Sequence, residues 1–179
     1  MPQTTPRSTA NTLAEPVQPG FSQRSFRDAL GTFATGVTVV TASNAAGLRV
    51  GLTVSSFNSV SLAPPLVLWS LSNEAHSMAV LQACTHYAIH VLAADQLALA
   101  NRFAQRGIDR FEGVACTTGA TGAPLIEGAV ATFECANRSR YAEGDHVIFV
   151  GEVLHCRHRV CTPLLYHGGK LHTQHGLTG

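Results

Sequence analysis

The sequence predicts a mainly β protein, an antiparallel barrel with a few peripheral α-helices. Short segments rich in β-branched and aromatic residues recur along the chain and are joined mostly by hairpin turns. The predicted helices are few and do not alternate with the strands, which disfavours a doubly wound parallel sheet. An antiparallel barrel is therefore the favoured architecture.

The first predicted element is a helix. Apolar residues recur at helical spacing after Phe26, Ser25 with Asp28 indicates a capping box, and Gly36 is expected to end the helix. Two further short helices are predicted over residues 76–84 and 95–104, the second capped by Asp95. Strands are predicted at residues 37–41, 48–57, 66–71, 87–92, 129–135 and 147–153, with a small hairpin over 164–172. Turns or loops are predicted at residues 44–47, 113–124 and 141–146.

Length and composition limit the possible classes of protein. The 179 residues, 45% of them hydrophobic, suit one domain with a substantial core. The net charge of +1 argues against a nucleic-acid partner, and no apolar run approaches the roughly 20 residues that span a membrane. The five cysteines are odd in number and lack a C-x-x-C pair, which predicts reduced thiols and a cytoplasmic location.

The N-terminal residues differ in composition from the rest. Residues 1–20 combine repeated proline with Thr, Gln, Ser and Asn, and few large apolar residues. We expect a disordered tail over residues 1–20 and one folded domain over residues 21–175.

The densest group of small polar side chains lies between Gly51 and Ser61. Serine and threonine there interleave with apolar residues and lead into Pro64 and Pro65. Hydroxyl groups beside free backbone N–H groups can bind a phosphate or the polar edge of a flat ring. The alternative is a Ser/Thr-rich strand with one solvated face.

Two further polar clusters stand at the ends of predicted elements. Ser72 and Ser77 flank the start of a predicted helix, where anions bind readily, although helix capping is the more frequent role of such residues. Gly144, Asp145 and His146 form a turn where backbone can approach a ligand closely, although most Gly-Asp pairs are only turns.

Several chemistries have no support in the sequence. The histidines match no metal-binding spacing, and His155 and His158 would point to opposite faces of a strand, so no metal site is predicted. The carboxylates are scattered singly, so no acid–base pair is predicted. No Rossmann or Walker motif occurs, and a dinucleotide would have to bind by other means.

Taken together, these segments resemble the short-chain flavin reductases, the small components of two-component flavin-dependent monooxygenases. The resemblance covers residues 21–173 in the family's order. The matching segments are FRDAL at 26–30, FATGV at 33–37, GLTVSSF at 51–57, SVSL at 59–62, PPLV at 64–67, VLAADQ at 91–96, RF at 110–111, GDH at 144–146 and LLYHGG at 164–169.

The resemblance implies an antiparallel split β-barrel of the Greek-key, FMN-binding type, usually a homodimer. It implies reduction of FMN or FAD by NADH or NADPH, with reduced flavin passed to a partner monooxygenase; the residues do not decide within either pair. Two alternatives stay open, a non-catalytic flavin-binding module and an enzyme like pyridoxamine-phosphate oxidase. The latter is disfavoured because such enzymes generally have more Arg and Lys around the substrate phosphate, whereas Lys170 is the single lysine of this sequence.

The family pattern also implies roles for individual residues, none of which acts as an acid or a base. Flavin would be bound by Thr53, Val54, Ser55 and Ser56 along the ring, by Ser59, Val60 and Ser61 along the ribityl chain, and by Ser72 and Ser77 at the phosphate. The nicotinamide would be bound by Gly144, Asp145, His146 and Tyr166. Asn73 and Glu74 stand where the family often has a basic residue, so Arg102 or Arg106 is expected to assist the phosphate.

Overall fold

The structure, a computed structural model, describes residues 19–175. Three α-helices are present: α1 (Gln23–Gly31), α2 (Met78–Ala83) and α3 (Leu97–Ala104). The strands are β1 (Thr35–Gly36), β2 (Thr38–Ser43), β3 (Arg49–Val54), β4 (Asn58–Leu62), β5 (Pro65–Ser72), β6 (His86–Val91), β7 (Cys116–Thr118), β8 (Pro124–Ile126), β9 (Ala131–Glu143), β10 (His146–His158), β11 (Leu165–His167) and β12 (Lys170–His172). The predicted mainly β fold is confirmed, whereas residues 1–18 of the predicted tail lie outside the described residues.

The main sheet is a seven-stranded antiparallel sheet in the order β3-β2-β6-β9-β10-β5-β4. Its two edge strands, β3 and β4, are consecutive in the chain and are joined by residues 55–57. The Ser56 hydroxyl accepts from the Ser70 N–H at 2.9 Å and donates to the Ser70 carbonyl at 3.2 Å. The Ser56 side chain thus ties this link to β5. A closed barrel would have a continuous strand ladder at this place, and its interruption is as expected for a split barrel.

Aromatic rings fill the space enclosed by this sheet. Trp69 on β5 stacks on Phe149 on β10 with ring centroids 4.6 Å apart, and Tyr87 on β6 meets Trp69 edge-on at 5.7 Å. All three side chains are fully buried. The stacked pair comes from directly opposed positions in the β5–β10 ladder, so strand register sets the core geometry.

A second core lies between the sheet and α3. Phe103 on α3 meets Phe111 edge-on with centroids 5.2 Å apart, and both rings cover Gly51 on β3. A Cβ atom at Gly51 would overlap the Phe103 ring. The glycine therefore permits α3 to lie directly against β3, and this contact positions one wall of the site described below.

The predicted first helix is too long at its C-terminal end and its predicted cap is wrong. The Ser22 hydroxyl, not that of Ser25, caps α1 by accepting from the Ser25 N–H at 3.1 Å. The helix ends at Gly31, since Thr35 and Gly36 pair with β11 as a short strand. Pairing with a distant strand overrides the helical spacing of the intervening residues.

Other predicted boundaries also change. Asp95 is not a cap, because residues 94–96 form a 3₁₀ turn in which the Gln96 side chain accepts from the Ala93 N–H. Strand β4 was not predicted, since its serines resemble a loop, and the predicted loop 113–124 contains β7. Strand β9 extends well beyond its predicted segment, so that the predicted turn at 141–146 is reduced to Gly144 and Asp145, and β10 continues past its predicted end to His158.

The apolar residues of α1 face solvent. No residue of the helix is buried, and Phe26, Leu30 and the nearby Phe33 are 50%, 59% and 71% exposed. A helix this short has little stability without an apolar surface against which to pack. No helix among residues 19–175 has the length and hydropathy needed to cross a membrane.

Candidate active site

A cavity of about 410 Å³ opens where β3 ends, between the end of β5, the start of α2 and the end of α3. It brings together three polar segments that are far apart in sequence, from β3, from the β5–α2 connection and from the start of β10. The lining residues are Leu52, Thr53, Val54, Ser55, Ser56, Ser70, Leu71, Ser72, Ala75, His76, Ser77, Phe103, Ala104, Arg106, Arg110 and His146.

Strand register brings two of these segments together. Ser72 on β5 lies directly opposite His146 on β10 in the antiparallel ladder. Asn73 then holds the adjoining turn, because its N–H donates to the Asp145 carbonyl at 2.9 Å and its side-chain amide donates to the Gly144 carbonyl at 3.3 Å. The residue that replaces a basic one in the family pattern therefore positions the turn.

The hydroxyl groups on the β3 side differ in their availability. Thr53 donates to the Ala100 carbonyl of α3 at 2.7 Å, and Ser56 is engaged with Ser70. Ser55 and Ser56 follow the last residue of β3 and precede β4, so they lie outside the strand ladder. What this segment offers a ligand is mainly backbone at the end of a strand, with the Ser55 hydroxyl beside it.

Two arginines supply positive charge to the cavity wall. Arg110 donates to the Gln105 carbonyl at 2.7 Å and to the Gly51 carbonyl at 2.6 Å. Arg106 forms no hydrogen bond, and neither arginine pairs with a carboxylate within residues 19–175. Burial and the neighbouring charge of Arg106 lower the pKa of Arg110. Two uncompensated guanidinium groups favour an anion at this wall.

Ser77 adds a hydroxyl to the same wall. The residue is 6% exposed, and its side chain forms no hydrogen bond within the described part of the chain. Together with Arg106 and Arg110, it fits the oxygens of a phosphate.

The His146 side chain lines the cavity, and a hydrogen bond to Asp145 orients its ring. Its Nδ1 lies 2.7 Å from Oδ1 of Asp145, and the adjoining Gly144 has a φ of +59° that favours glycine in this turn. The hydrogen bond to His146, and then its charge, lower the pKa of Asp145. With Nδ1 held by a carboxylate, Nε2 is the ring atom left for a ligand.

Tyr166 lies in a neighbouring cavity of about 630 Å³. The two cavities share Thr53, Val54, Ser55 and Ala104, and the second also has Lys170 and Leu171 on its wall. Tyr166 is thus close to the predicted flavin-ring segment although it does not line the first cavity.

Three predicted flavin contacts do not lie in either of these cavities. Ser59, Val60 and Ser61 belong to edge strand β4, which pairs with the first half of β5. They are mostly exposed, and Gly144 and Asp145 likewise lie in the turn beside the cavity and not on its wall. Arg102 also points elsewhere, since it donates to the carbonyls of Asp109 and Arg110.

Sequence reasoning did not assign Arg110 or His76 to the site. Arg110 belongs to a quoted family motif, and that motif was the available signal. His76 stood in a polar cluster without an assigned role. The sequence does not indicate where either side chain points. For Arg110 the reason is that its loop is irregular, without a periodic pattern of side-chain directions.

The cavity contains no carboxylate among its lining residues. It therefore offers no paired carboxylates, and within the described residues no serine hydroxyl of its wall is hydrogen-bonded to a histidine. The remaining groups are backbone donors, hydroxyls, two guanidiniums and an imidazole, which suit binding and orientation of an anionic, flat-ringed ligand. A flavin with a phosphate-bearing side chain fits this donor set.

Comparison with known proteins agrees with this chemistry. A family model described as a flavin reductase like domain matches residues 30–175. The FMN reductase (NADH) of Agrobacterium fabrum is 48% identical over 150 residues, which are 84% of this chain and 85% of that protein. The reductase subunit of a flavin-dependent monooxygenase from Rhodococcus jostii is 35% identical, over 88% of this chain and 78% of that protein.

A solved structure extends the likeness to three dimensions. The NADH:FAD oxidoreductase of Streptomyces globisporus, in complex with NAD and FAD fragments, superposes with a TM-score of 0.81 at 41% identity. The match covers 89% of this chain and 96% of that one. The resemblance drawn from the sequence is confirmed, and the chain belongs to the flavin reductase like family.

Proposed function

We propose that this protein is an NAD(P)H-dependent flavin reductase that supplies reduced flavin to a flavin-dependent monooxygenase. The observation that carries the proposal is the cavity that joins the strand end at Thr53–Ser56 to an arginine wall and to His146. The names of the relatives support NADH as the nicotinamide and FMN or FAD as the flavin. A cytoplasmic location is part of the proposal, supported by five unpaired cysteines.

The protein's own groups would bind and orient two ligands. Backbone beyond the end of β3 would bind the polar edge of the flavin ring, and Arg106, Arg110 and Ser77 would bind its phosphate. His146 would bind the nicotinamide carboxamide through Nε2, and Tyr166 would contact the same ligand from the neighbouring cavity. When bound, the flavin accepts a hydride from the reduced nicotinamide.

In this proposal the protein binds and orients the ligands, and the hydride passes directly between them. No acid or base is needed, which explains why the cavity lacks carboxylates. Hydride transfer between two stacked rings depends on distance and orientation, which rigid walls provide. Donors directed at the flavin ring also stabilise the negative charge of its reduced form. A carboxylate beside that ring would oppose the reaction.

The assay of the proposal is direct. Purified protein is mixed with NADH or NADPH and excess FMN, FAD or riboflavin, and absorbance at 340 nm is followed. Consumption of nicotinamide that depends on flavin and on protein is the expected result. Tight flavin binding without turnover would instead identify a non-catalytic flavin module, and absence of both would refute the proposal.

His146→Ala is expected to raise the nicotinamide KM several-fold to about tenfold, the effect of losing a hydrogen bond worth about 0.5–1.5 kcal/mol. Flavin affinity and thermal stability should not change, because the ring lies at the cavity rim. Steady-state kinetics at saturating flavin measure the effect. A loss of flavin binding, or unchanged kinetics, would assign the residue another role.

Arg106→Gln is expected to weaken FMN binding about three- to tenfold and to leave riboflavin binding unchanged, because riboflavin lacks the phosphate. Arg106 is exposed and forms no hydrogen bond within residues 19–175, so the substitution should not disturb the fold. Calorimetric titration with both ligands measures the difference. Arg157→Gln, at the exposed C-terminal end of β10 and outside this cavity, is the matched control; equal losses for both ligands would exclude a phosphate contact.

We also propose that the protein is a homodimer in which the exposed apolar face of α1 is covered by a second copy. Phe26→Ser with Phe33→Ser should then shift the sedimentation coefficient toward that of a monomer of 18.9 kDa. A wild-type protein that sediments as a monomer at micromolar concentration would contradict the proposal.

A further inference from the structure

The loop that follows α3 supplies both arginines of the cavity wall. It covers residues 105–115, between α3 and β7, and contains no helix or strand. Within residues 19–175, residues 106–110 make no backbone–backbone hydrogen bond. A segment without such bonds has little local stability of its own. Side chains must therefore fix the positions of Arg106 and Arg110.

Arg102 on α3 holds the backbone of this loop. Its Nε donates to the Arg110 carbonyl at 3.0 Å, and its Nη2 donates to the Asp109 carbonyl at 3.0 Å. A planar guanidinium suits two adjacent carbonyls, because its N–H groups form a rigid fork. The Arg102 side chain does not line the cavity of the candidate active site. It is therefore placed to hold the loop and not to touch a ligand in the cavity.

Arg110 continues the same series of contacts toward the cavity. Its guanidinium donates to the Gln105 carbonyl at 2.7 Å and to the Gly51 carbonyl of β3 at 2.6 Å. The loop is thus tied to α3 through Arg102 and to the sheet through Arg110, and Arg106 lies in the segment between these ties. Without the contacts of Arg102, the loop that carries both cavity arginines would be held from one side only.

We infer that Arg102 is a positioning residue for anion binding, which holds the loop in the conformation that presents Arg106 and Arg110 to the flavin phosphate. The inference rests on the proposed function, since it assumes that a phosphate binds at this wall. Direct assistance to the phosphate, the role expected from the sequence, is the alternative. The two roles differ in the expected effect of lysine, which keeps the charge of Arg102 but lacks its planar fork.

The test compares Arg102→Gln and Arg102→Lys by calorimetric titration of the full chain with FMN and with riboflavin. Both variants should weaken FMN binding by about five- to tenfold and leave riboflavin binding within about twofold of wild type. Lysine should not rescue FMN binding, because a compact ammonium group on a flexible stem does not reproduce the two contacts of the guanidinium. Wild-type FMN affinity in Arg102→Lys would show that Arg102 acts through its charge, and would overturn the inference.

Two control variants separate the loop contacts from other effects. Glu112→Gln removes the exposed carboxylate that lies 3.4 Å from Nη2 of Arg102, and it should bind both flavins as wild type does. Arg159→Gln removes an arginine that also donates to two carbonyls, those of Gly128 and Ala129, outside the cavity. It should lower the melting temperature about as much as Arg102→Gln does, with no change in the ratio of FMN affinity to riboflavin affinity.

Trypsin gives a readout of the loop that does not depend on flavin. Cleavage after Arg106 or Arg110 requires the loop to leave its folded position, so it should be several-fold faster in both Arg102 variants than in wild type or Arg159→Gln. Mass spectrometry identifies the cleaved bonds. An unchanged cleavage rate, an unchanged FMN affinity, or equal losses for FMN and riboflavin would each overturn the inference. Absence of flavin binding by the wild-type protein would instead refute the proposed function itself.

Discussion

Replacing Gly151 with alanine is expected to lower the free energy of unfolding by about 3 kcal/mol, the upper range for overpacking a core. A Cβ atom there would overlap the Tyr87 hydroxyl and lie 2.9 Å from the Cβ of Cys135. The Cys135 Cβ moves only with its backbone, and β9 pairs with both β6 and β10. Urea denaturation at pH 7 measures the loss.

The double variant with Tyr87→Phe separates the two contacts. Phenylalanine removes the oxygen atom that meets the new methyl group, so part of the loss should be recovered in a double-mutant cycle. Gly47→Ala tests a glycine whose Cβ would meet nothing, although its φ of +80° adds backbone strain. A Gly151→Ala protein as stable as wild type would show that β10 can move away from β6.

Lowering the pH from 7 to 5 is expected to reduce the free energy of unfolding by about 2 kcal/mol through His90 alone. This imidazole is fully buried on β6; its Nδ1 donates to the Val39 carbonyl at 3.0 Å and its Nε2 accepts from the Ile126 N–H at 3.1 Å. Burial lowers the pKa of His90 to about 4 from 6.5. Between about pH 6.5 and pH 4, the unfolded chain binds a proton at His90 that the folded chain does not bind. The free energy of unfolding therefore falls as the pH is lowered across that window.

The control for this prediction is His90→Gln, compared with wild type by urea denaturation at each pH. The variant should start from a lower stability at pH 7, because an amide side chain does not reproduce both ring contacts. Its further loss between pH 7 and pH 5 should be smaller than that of wild type by about 2 kcal/mol. Parallel losses in the two proteins would show that His90 is not the group responsible.

The local elements of the fold could be predicted wherever neighbouring residues determine them. The hairpin of β2 and β3 follows from a β-branched run, a four-residue Asn-Ala-Ala-Gly turn at 44–47 and a returning run. The end of α1 could not be predicted, because Thr35 and Gly36 pair with residues 165–166, far along the chain. Long-range pairing of this kind leaves no local pattern.

The residues of the candidate site likewise fall into those that the sequence could predict and those that it could not. Residues 53–56 and His146 were nominated from local composition and the family pattern, and the structure places them on one cavity. The contribution of Arg110 depends on a loop folding back to reach the Gly51 carbonyl, and nothing near Arg110 in sequence indicates that contact. The serines of β4 are polar for an exposed edge strand, a pattern that composition alone does not separate from a ligand-binding one.

The gap between the edge strands β3 and β4 also has a consequence for engineering. Pairing β3 with β4 across this gap would complete the barrel and add backbone hydrogen bonds, a route to a more heat-resistant protein. The same change would engage the main-chain donors of Ser55 and Ser56 that the proposed flavin site needs. Thermostabilisation of this protein should therefore be directed to the far side of the sheet, since the proposed flavin site depends on incomplete closure here.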